Sequence, residues 1–186
     1  VYVISSNHSQ NRKIKIGLIS ILSGDYATVG ENFKNGVLLA LDEYKSKNPK
    51  SEIEVIVEDD GFNSAKALGA YNKLTSVNKI DGLINVSTAS IDAIYDRVIK
   101  DGIPVAQGGE QGRSPTDDNV FGMFPDSISS ERDFGKYMAS RNVKEMTIVY
   151  TKLDAMIRFV EAFKEGFKGK VNEIVIDASE KDFRTH

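Results

Sequence analysis

The chain has 186 residues, of which 40% are hydrophobic and 27% charged, and 24 Lys and Arg against 27 Asp and Glu give a net charge of −3. This is the composition of a globular protein, and the acidic balance argues against nucleic acid as a partner. There is no cysteine, which excludes thiol nucleophiles, disulfides and cysteine metal sites. The only histidines, His8 and His186, stand near the two ends, which argues against an internal Ser-His-Asp relay or multi-histidine metal site. We therefore expect a binding protein without a cofactor, not an enzyme.

The two ends of the chain have a different character from the rest. Residues 1–4 are apolar and residues 5–12 are polar. Residues 1–12 could be a disordered leader or an edge strand, or the remnant of a signal sequence or membrane anchor. No apolar run approaches the roughly 20 residues that a membrane-spanning helix needs. The last residues, 182–186, have the pattern of a segment that continues as a helix.

From residue 13 onward, short β-branched runs alternate with longer amphipathic runs. The predicted strands are 14–21, 53–58, 80–85 and 103–107, and the predicted helices are 32–47, 64–76 and 90–101. Such alternation is typical of an α/β fold with a doubly wound, mostly parallel sheet.

The alternation is interrupted by a polar, glycine-containing loop over residues 108–119 and then begins again. The predicted elements after the loop are a strand at 120–124, a helix at 129–141, a strand at 145–150, a helix at 155–168 and a strand at 171–176. This pattern predicts a first α/β lobe at 13–122 and part of a second α/β lobe at 123–186.

Ligands of parallel α/β sheets bind beyond the carboxyl ends of the strands, so the loops after the strands are the candidate sites. The loop at 22–30 contains Tyr26, which could form an aromatic wall, but it lacks the motifs of a phosphate loop. After the second strand come Asp59 and Asp60, which could bind Mg²⁺ or accept phosphate. A solvated turn near the next helix N-terminus is the preferred interpretation of this acidic cluster.

Hydroxyl side chains follow the third strand. Ser87, Thr88 and Ser90 open a helix, where hydroxyls and unpaired backbone amides can bind a carboxylate. The same groups could equally serve only as helix caps. Both interpretations are open from the sequence alone.

A glycine-rich loop follows the fourth strand. Gly108 and Gly109 would allow a ligand to approach the main chain closely. Glu110 or Gln111 could meet an ammonium or amide group, and Arg113 could meet a carboxylate. The alternative is a flexible, solvated loop, but three polar loops that converge at one sheet edge indicate a binding site.

Several segments, in order and at matching spacing, resemble type I periplasmic solute-binding proteins, especially the Leu/Ile/Val-binding proteins of branched-chain amino acid ABC transporters. The segments that carry the resemblance are 14–30 (IKIGLISILSGDYATVG), 57–60, 87–88, 102–105, 120–126 (VFGMFPD) and 181–184. The resemblance implies two α/β lobes that close on a ligand by a hinge motion. It also implies a periplasmic or extracytoplasmic, membrane-associated protein with a membrane permease as its partner. The family's chains are longer, so we expect a truncated form.

The resemblance also implies roles for individual residues. Thr88 falls where a hydroxyl meets the ligand carboxylate, Gly109 offers a backbone contact, and Gln111 falls where a further hydroxyl ligand often lies. Tyr26 and Val29 lie in the loop that walls the ligand side chain. The candidate ligand-binding residues are Tyr26, Val29, Ser87, Thr88, Gly108, Gly109 and Gln111.

Two departures from the family pattern bear on the ligand. Residues 151–156 lack the Tyr-Gly pair with which the second lobe of the family often touches its ligand, and residues 108–111 read Gly-Gly-Glu-Gln. These changes leave room for an amide, a carboxylate, an aromatic acid or another small polar metabolite. The alternatives to transport are a ligand-sensing domain of a membrane receptor and an α/β enzyme, for which Asp59 and Asp60 would be the only plausible catalysts.

Overall fold

The computed structural model describes residues 13–109 and 119–177. Strands and helices alternate along both described ranges. In chain order the elements are β1 (Ile14–Ser20), α1 (Ala27–Lys47), β2 (Ile53–Asp59), α2 (Ser64–Lys73), β3 (Gly82–Asn85), α3 (Thr88–Asp101), β4 (Val105–Gln107), β5 (Val120–Gly122), α4 (Ser127–Ser140), β6 (Glu145–Thr151), α5 (Asp154–Phe167) and β7 (Lys170–Ile176).

Strands β1 to β5 form one parallel sheet in the order β2-β1-β3-β4-β5. Leu18 of β1 is paired with Val57 of β2 on one side and with Ile84 of β3 on the other. The chain moves outward in one direction from β1 to β2 and in the other direction from β3 to β5. The switch point is therefore between β1 and β3, and loops at the carboxyl ends of these strands are well placed to form a site.

The core of this sheet lies under α2 and α3. The buried core residues here are Leu83 of the sheet, Tyr71 of α2, Leu74 directly after α2, and Ile94 and Val98 of α3. The helical residues among them recur every three or four positions, the spacing of one helix face. After α2, a π-helical turn over Leu74–Asn78 leads to Lys79, whose backbone is left-handed.

Strands β6 and β7 form a separate parallel pair; α5 packs on β6, and α4 packs against α5. The two helices approach closely at glycines: a Cβ at Gly166 would lie 1.9 Å from the carbonyl oxygen of Arg132. Phe163 lies between Phe134 and Phe167, with ring centroids 5.6 and 5.3 Å away. We call the five-stranded sheet with α1–α3 the first lobe and the two-stranded sheet with α4 and α5 the second lobe.

The sequence-based boundaries need one substantial correction. Helix α1 begins at Ala27, five residues before the predicted start, so the predicted loop at 22–30 is half helical. Thr28, Val29 and Gly30 are weak helix formers, which is why the pattern indicated a loop. The Ser20 hydroxyl donates to the Gly30 carbonyl at 2.9 Å, and Gly30 packs against the backbone of Ile21, so contacts with the end of β1 hold this turn helical.

Candidate functional site

A cavity of about 270 Å³ lies between the two lobes. Its volume is close to the lower end of the range found for small-molecule sites. We call it the interlobe cleft. The residues that line it are Phe62, Ser64, Thr88, Ala89 and Asp92 from the first lobe and Lys152, Leu153, Asp154, Ala155 and Met156 from the second.

The N-terminus of α3 forms part of the first-lobe wall. Ser87 is its N-cap, and the Ser87 hydroxyl accepts a hydrogen bond from the Ser90 amide at 3.0 Å. Ser87 is buried and does not line the cleft, whereas Thr88 and Ala89, the first two residues of the helix, do. Ser87 therefore caps α3, and the hydroxyl side chains that line the cleft are those of Thr88 and Ser64.

Asp60 lies behind this helix N-terminus and is 0% exposed, so it is not part of the solvated turn that the sequence favoured. One oxygen accepts from the Phe62 amide at 3.0 Å, and the other accepts from the hydroxyls of Ser87, at 3.0 Å, and of Ser90. Burial raises the pKa of the Asp60 carboxyl above its ordinary value, more than the hydrogen bonds from Phe62 and Ser87 lower it.

Asp59 has a different environment and is exposed. It accepts hydrogen bonds from the amides of Leu22 and Gly61, both at 2.8 Å. Its partial burial alone would raise its pKa, but the hydrogen bonds from the Ser23 side chain and these two amides lower the pKa overall. Within the described residues, no group of three or more His, Cys, Asp or Glu side chains is arranged to hold a metal ion.

An aromatic pair stands at the edge of the first-lobe wall. The Tyr26 and Phe62 rings are 5.1 Å apart between centroids and inclined at 52°, a favourable tilted geometry. Phe62 lines the cleft, and Tyr26, the N-cap residue of α1, is 49% exposed behind it. Val29 is 58% exposed on the first turn of α1 and does not line the cleft.

The glycines after β4 are tightly packed. A Cβ at Gly109 would lie 2.3 Å from the Val86 carbonyl oxygen and 3.3 Å from the Thr88 amide nitrogen, so Gly109 and Thr88 are neighbours. A Cβ at Gly108 would lie 2.2 Å from the Phe33 ring. At Gly109 only glycine allows this approach, because the facing atom is a backbone oxygen, whereas at Gly108 the facing atoms belong to side chains. Glu110, Gln111 and Arg113 lie outside the described residues.

The second-lobe wall is the turn between β6 and α5, the segment that the resemblance predicted to touch the ligand. Leu153 is the N-cap of α5, and no side chain caps this helix end. Lys152, Leu153 and Asp154 are exposed. The wall therefore offers a helix N-terminus, one cation, one anion and apolar surface from Leu153 and Met156.

One ion pair crosses from lobe to lobe beside the cleft. Nη2 of Arg158, on α5, lies 2.5 Å from Oδ2 of Asp92, on α3. Nε of the same guanidinium is buried and has no hydrogen-bond partner in the part of the chain that the structure describes. The pair connects the second turns of the two helices whose N-termini line the cleft.

The structure thus brings Thr88, Gly109 and, through Phe62, Tyr26 to the cleft region. Sequence reasoning missed Phe62, Ser64 and Asp92 as lining residues. Phe62 could have been identified, because it lies in the turn after β2, one of the loops at the carboxyl ends of the strands. Asp92 carried no local signal, since its role comes from the approach of α5.

The fold resembles that of several solute-binding proteins of known structure. One from R. palustris, solved with benzoate, is 25% identical with a TM-score of 0.73, and the match covers 94% of this chain and 51% of that chain. A second is LivJ of Streptococcus pneumoniae, a branched-chain amino acid transporter substrate-binding protein solved with isoleucine. It is 22% identical with a TM-score of 0.75, and the match covers 94% of this chain and 52% of LivJ. A fatty acid ABC transporter substrate-binding protein from Thermomonospora curvata is 18% identical with a TM-score of 0.76, covering 94% and 47%.

The chain spans about half the length of these solved structures. None of the curated proteins matches it. Among the described residues, no helix combines the length and apolarity that crossing a membrane requires. The α/β fold predicted from the sequence is confirmed, and it is that of the type I periplasmic binding proteins. The family model of periplasmic binding proteins matches residues 13–186, and the chain therefore belongs to the periplasmic binding protein family.

Proposed function

We propose that the protein carrying this chain is an extracytoplasmic solute-binding protein that captures a small ligand in the interlobe cleft and delivers it to the membrane permease of an ABC transporter. Residues 13–122 would form its first lobe and residues 123–186 part of its second. It would act in the periplasm, or attached to the extracytoplasmic face of the membrane. It would bind and release its ligand without making or breaking covalent bonds. The observation that carries this proposal is the 270 Å³ cavity lined by both lobes.

The chemistry of the lining favours a ligand with a polar head and an apolar body. Thr88 and Ser64 offer hydroxyls, while Phe62, Leu153 and Met156 offer apolar surface. The N-termini of α3 and α5 both lie at the cleft, and their partial positive charges favour an anionic head such as a carboxylate. An amino acid, an amide or an aromatic acid combines these features.

The interlobe contacts support closure around a ligand. The cleft has one wall from each lobe, and Asp92 and Arg158 join the two lobes beside it. A ligand that touches both walls would stabilise the closed arrangement, because it gains all its contacts only there.

A thermal-shift panel tests the proposal on the full-length protein that carries this sequence. The probes are leucine, glutamine and benzoate, which represent the amino acids, the amides and the aromatic acids. A ligand at 100 times its Kd stabilises the native state by about 2.7 kcal/mol, so at least one probe should clearly raise the thermal unfolding midpoint. No shift with any member of a wider panel of these three classes would contradict the proposal.

A variant pair then ties binding to the cleft. Thr88→Ala should weaken binding of the active probe by roughly 1 kcal/mol, the value of a typical hydrogen bond. The matched control is Thr75→Ala, since the Thr75 hydroxyl donates to the Tyr71 carbonyl at 2.9 Å, away from the cleft. Equal affinities of the two variants would contradict a ligand contact at Thr88.

A further inference from the structure

A buried carboxylate joins two segments of the cleft that are distant in sequence. Asp60 follows β2 and uses both carboxyl oxygens: one accepts from the Phe62 amide at 3.0 Å, and the other accepts from the hydroxyls of Ser87 and Ser90. The side chain therefore reaches from the turn that presents Phe62 to the first turn of α3. It does not line the cleft.

Both segments need this support. Phe62 has a φ of 58°, in the left-handed region that is unfavourable for a residue with a side chain. The hydrogen bond from its amide to Asp60 helps to hold that conformation. At α3, the Ser87 hydroxyl donates to Asp60 and accepts from the Ser90 amide, so the cap of the helix depends on Asp60 as well.

We propose that Asp60 is a positioning residue of the interlobe cleft, which sets the placement of the Phe62 ring relative to the Thr88 hydroxyl by tying the Phe62 turn to the N-terminus of α3. Its effect on affinity rests on the proposed function. Its effect on the two segments does not, and can be measured without a ligand.

The neighbouring Asp59 provides a matched control. Asp59, the last residue of β2, accepts two backbone hydrogen bonds, from Leu22 and Gly61, where Asp60 accepts one from Phe62. Among the described hydrogen bonds, those of Asp59 do not reach α3. Asp60→Ala removes all the side-chain hydrogen bonds that link the Phe62 turn to α3. Asp60→Asn keeps the shape of the side chain but removes its charge and one acceptor. Asp59→Asn makes the same chemical change without touching the link.

The first experiment measures amide hydrogen exchange of the full-length protein without ligand. Asp60→Ala should accelerate exchange by roughly tenfold or more at the amides of both Phe62 and Ser90, because each loses a bond or the cap that holds it. Asp60→Asn should show a smaller acceleration at the same two sites, and Asp59→Asn should accelerate Leu22 and Gly61. Acceleration at Phe62 with unchanged protection at Ser90 would overturn the proposal.

The second experiment measures, by calorimetry, the affinity of the probe selected from leucine, glutamine and benzoate. The temperature is well below each variant's midpoint, so that every variant is folded. Asp60→Ala should weaken binding by roughly tenfold, Asp60→Asn by less, and Asp59→Asn by less than about twofold.

The outcomes separate the two proposals. Both Asp60 variants could show a lower thermal unfolding midpoint but bind the probe with wild-type affinity. Asp60 would then be only structural, and the positioning role would be overturned. If no member of the wider panel of amino acids, amides and aromatic acids binds the wild-type protein, the proposed function fails at that point. The exchange experiment still decides whether Asp60 links the two segments. If Asp60→Ala does not fold, Asp60→Asn carries both measurements.

Discussion

The two walls of the cleft are built differently. The first-lobe wall rests on buried polar side chains: Asp60 and Ser87 lie behind the capped N-terminus of α3. In the second-lobe wall no side chain caps the N-terminus of α5. Its N-cap residue is Leu153, and the neighbouring Lys152 is exposed. A wall held by buried hydrogen bonds keeps one geometry, because unmaking those bonds is expensive. A wall of exposed side chains can vary without loss of fold, so the two walls differ in how strongly their geometry is fixed.

The sheets behind the walls differ in the same sense. The first lobe has five strands with a core covered by α2 and α3, and Leu18 of β1 is fully buried. The second lobe has two strands, whose residues Val149 and Val175 are 55% and 45% exposed. Its stability must therefore come mainly from the packing of α4 against α5.

We expect the largest change in the free energy of unfolding when an aromatic side chain is removed from the second lobe. Phe163→Ala should lower the free energy of unfolding by about 3–5 kcal/mol, because Phe163 is buried between two other rings. Leu18→Ala is the counterpart in the first lobe, at about 2–5 kcal/mol. Denaturant unfolding with hydrogen exchange checks both. Loss of protection in β1 on Phe163→Ala, equal to that in β6, would show that the lobes unfold as one unit.

The second prediction concerns the close approach of α4 and α5. Gly166→Ala should destabilise the protein by about 1–3 kcal/mol, because the new Cβ would meet the rigid carbonyl of Arg132. Gly69→Ala in α2 is the control, since a Cβ there meets nothing within 4 Å. That change should stabilise by up to about 1 kcal/mol. Thermal midpoints that move in the same direction would contradict the packing argument.

The third prediction removes the helix cap from the first-lobe wall and adds one to the second-lobe wall. Ser87→Ala should destabilise by about 0.5–2 kcal/mol, because α3 loses its cap and Asp60 loses a donor. Leu153→Ser should stabilise by up to about 1 kcal/mol, since it supplies a cap to α5. Chemical denaturation measures both changes. A destabilising Leu153→Ser would mean that packing of the Leu153 side chain outweighs the cap.

The fourth prediction tests the contact between the walls. A double-mutant cycle of Asp92→Asn and Arg158→Gln should give a coupling free energy of up to about 1 kcal/mol, as expected for a partly exposed ion pair. Urea unfolding of the four proteins measures it. The coupling should fall in high salt, because exposed charges are screened. A coupling free energy of zero at low salt would show that the pair does not hold the lobes together.

The smallest expected effect is a difference in pH dependence between adjacent carboxyls. The pKa of Asp59 is lowered, so its stabilising contribution is present above the unfolded-state pKa and is lost as the pH falls through the lower folded-state pKa. The pKa of Asp60 is raised, so the native state takes up that proton first, and acidification through the raised pKa adds stability. Unfolding free energies of Asp59→Asn and Asp60→Asn measured across acidic pH should therefore deviate from wild type with opposite slopes.

Much of the first lobe was predictable from local pattern. The alternation of β-branched runs and amphipathic helices predicted the parallel sheet, and the helix faces through Tyr71 and Ile94 were read correctly because core burial imposes a period of 3.6 residues. The edge of the sheet at which polar loops gather was also predicted, since carboxyl ends of parallel strands meet there. The start of α1 was not, because contacts with β1 overrode the low helix propensity of Val29 and Gly30.

The sequence by itself determined the fold class, the sheet edge at which the cleft lies, and Thr88 as a candidate hydroxyl at a helix N-terminus. Those properties follow from hydrophobic period and strand order, which are local signals. Only the tertiary structure decided that Asp60 is buried, that Ser87 points away from the cleft, and that Asp92 meets Arg158. Each of these depends on which distant segment packs against a polar side chain, and no local pattern encodes that partner.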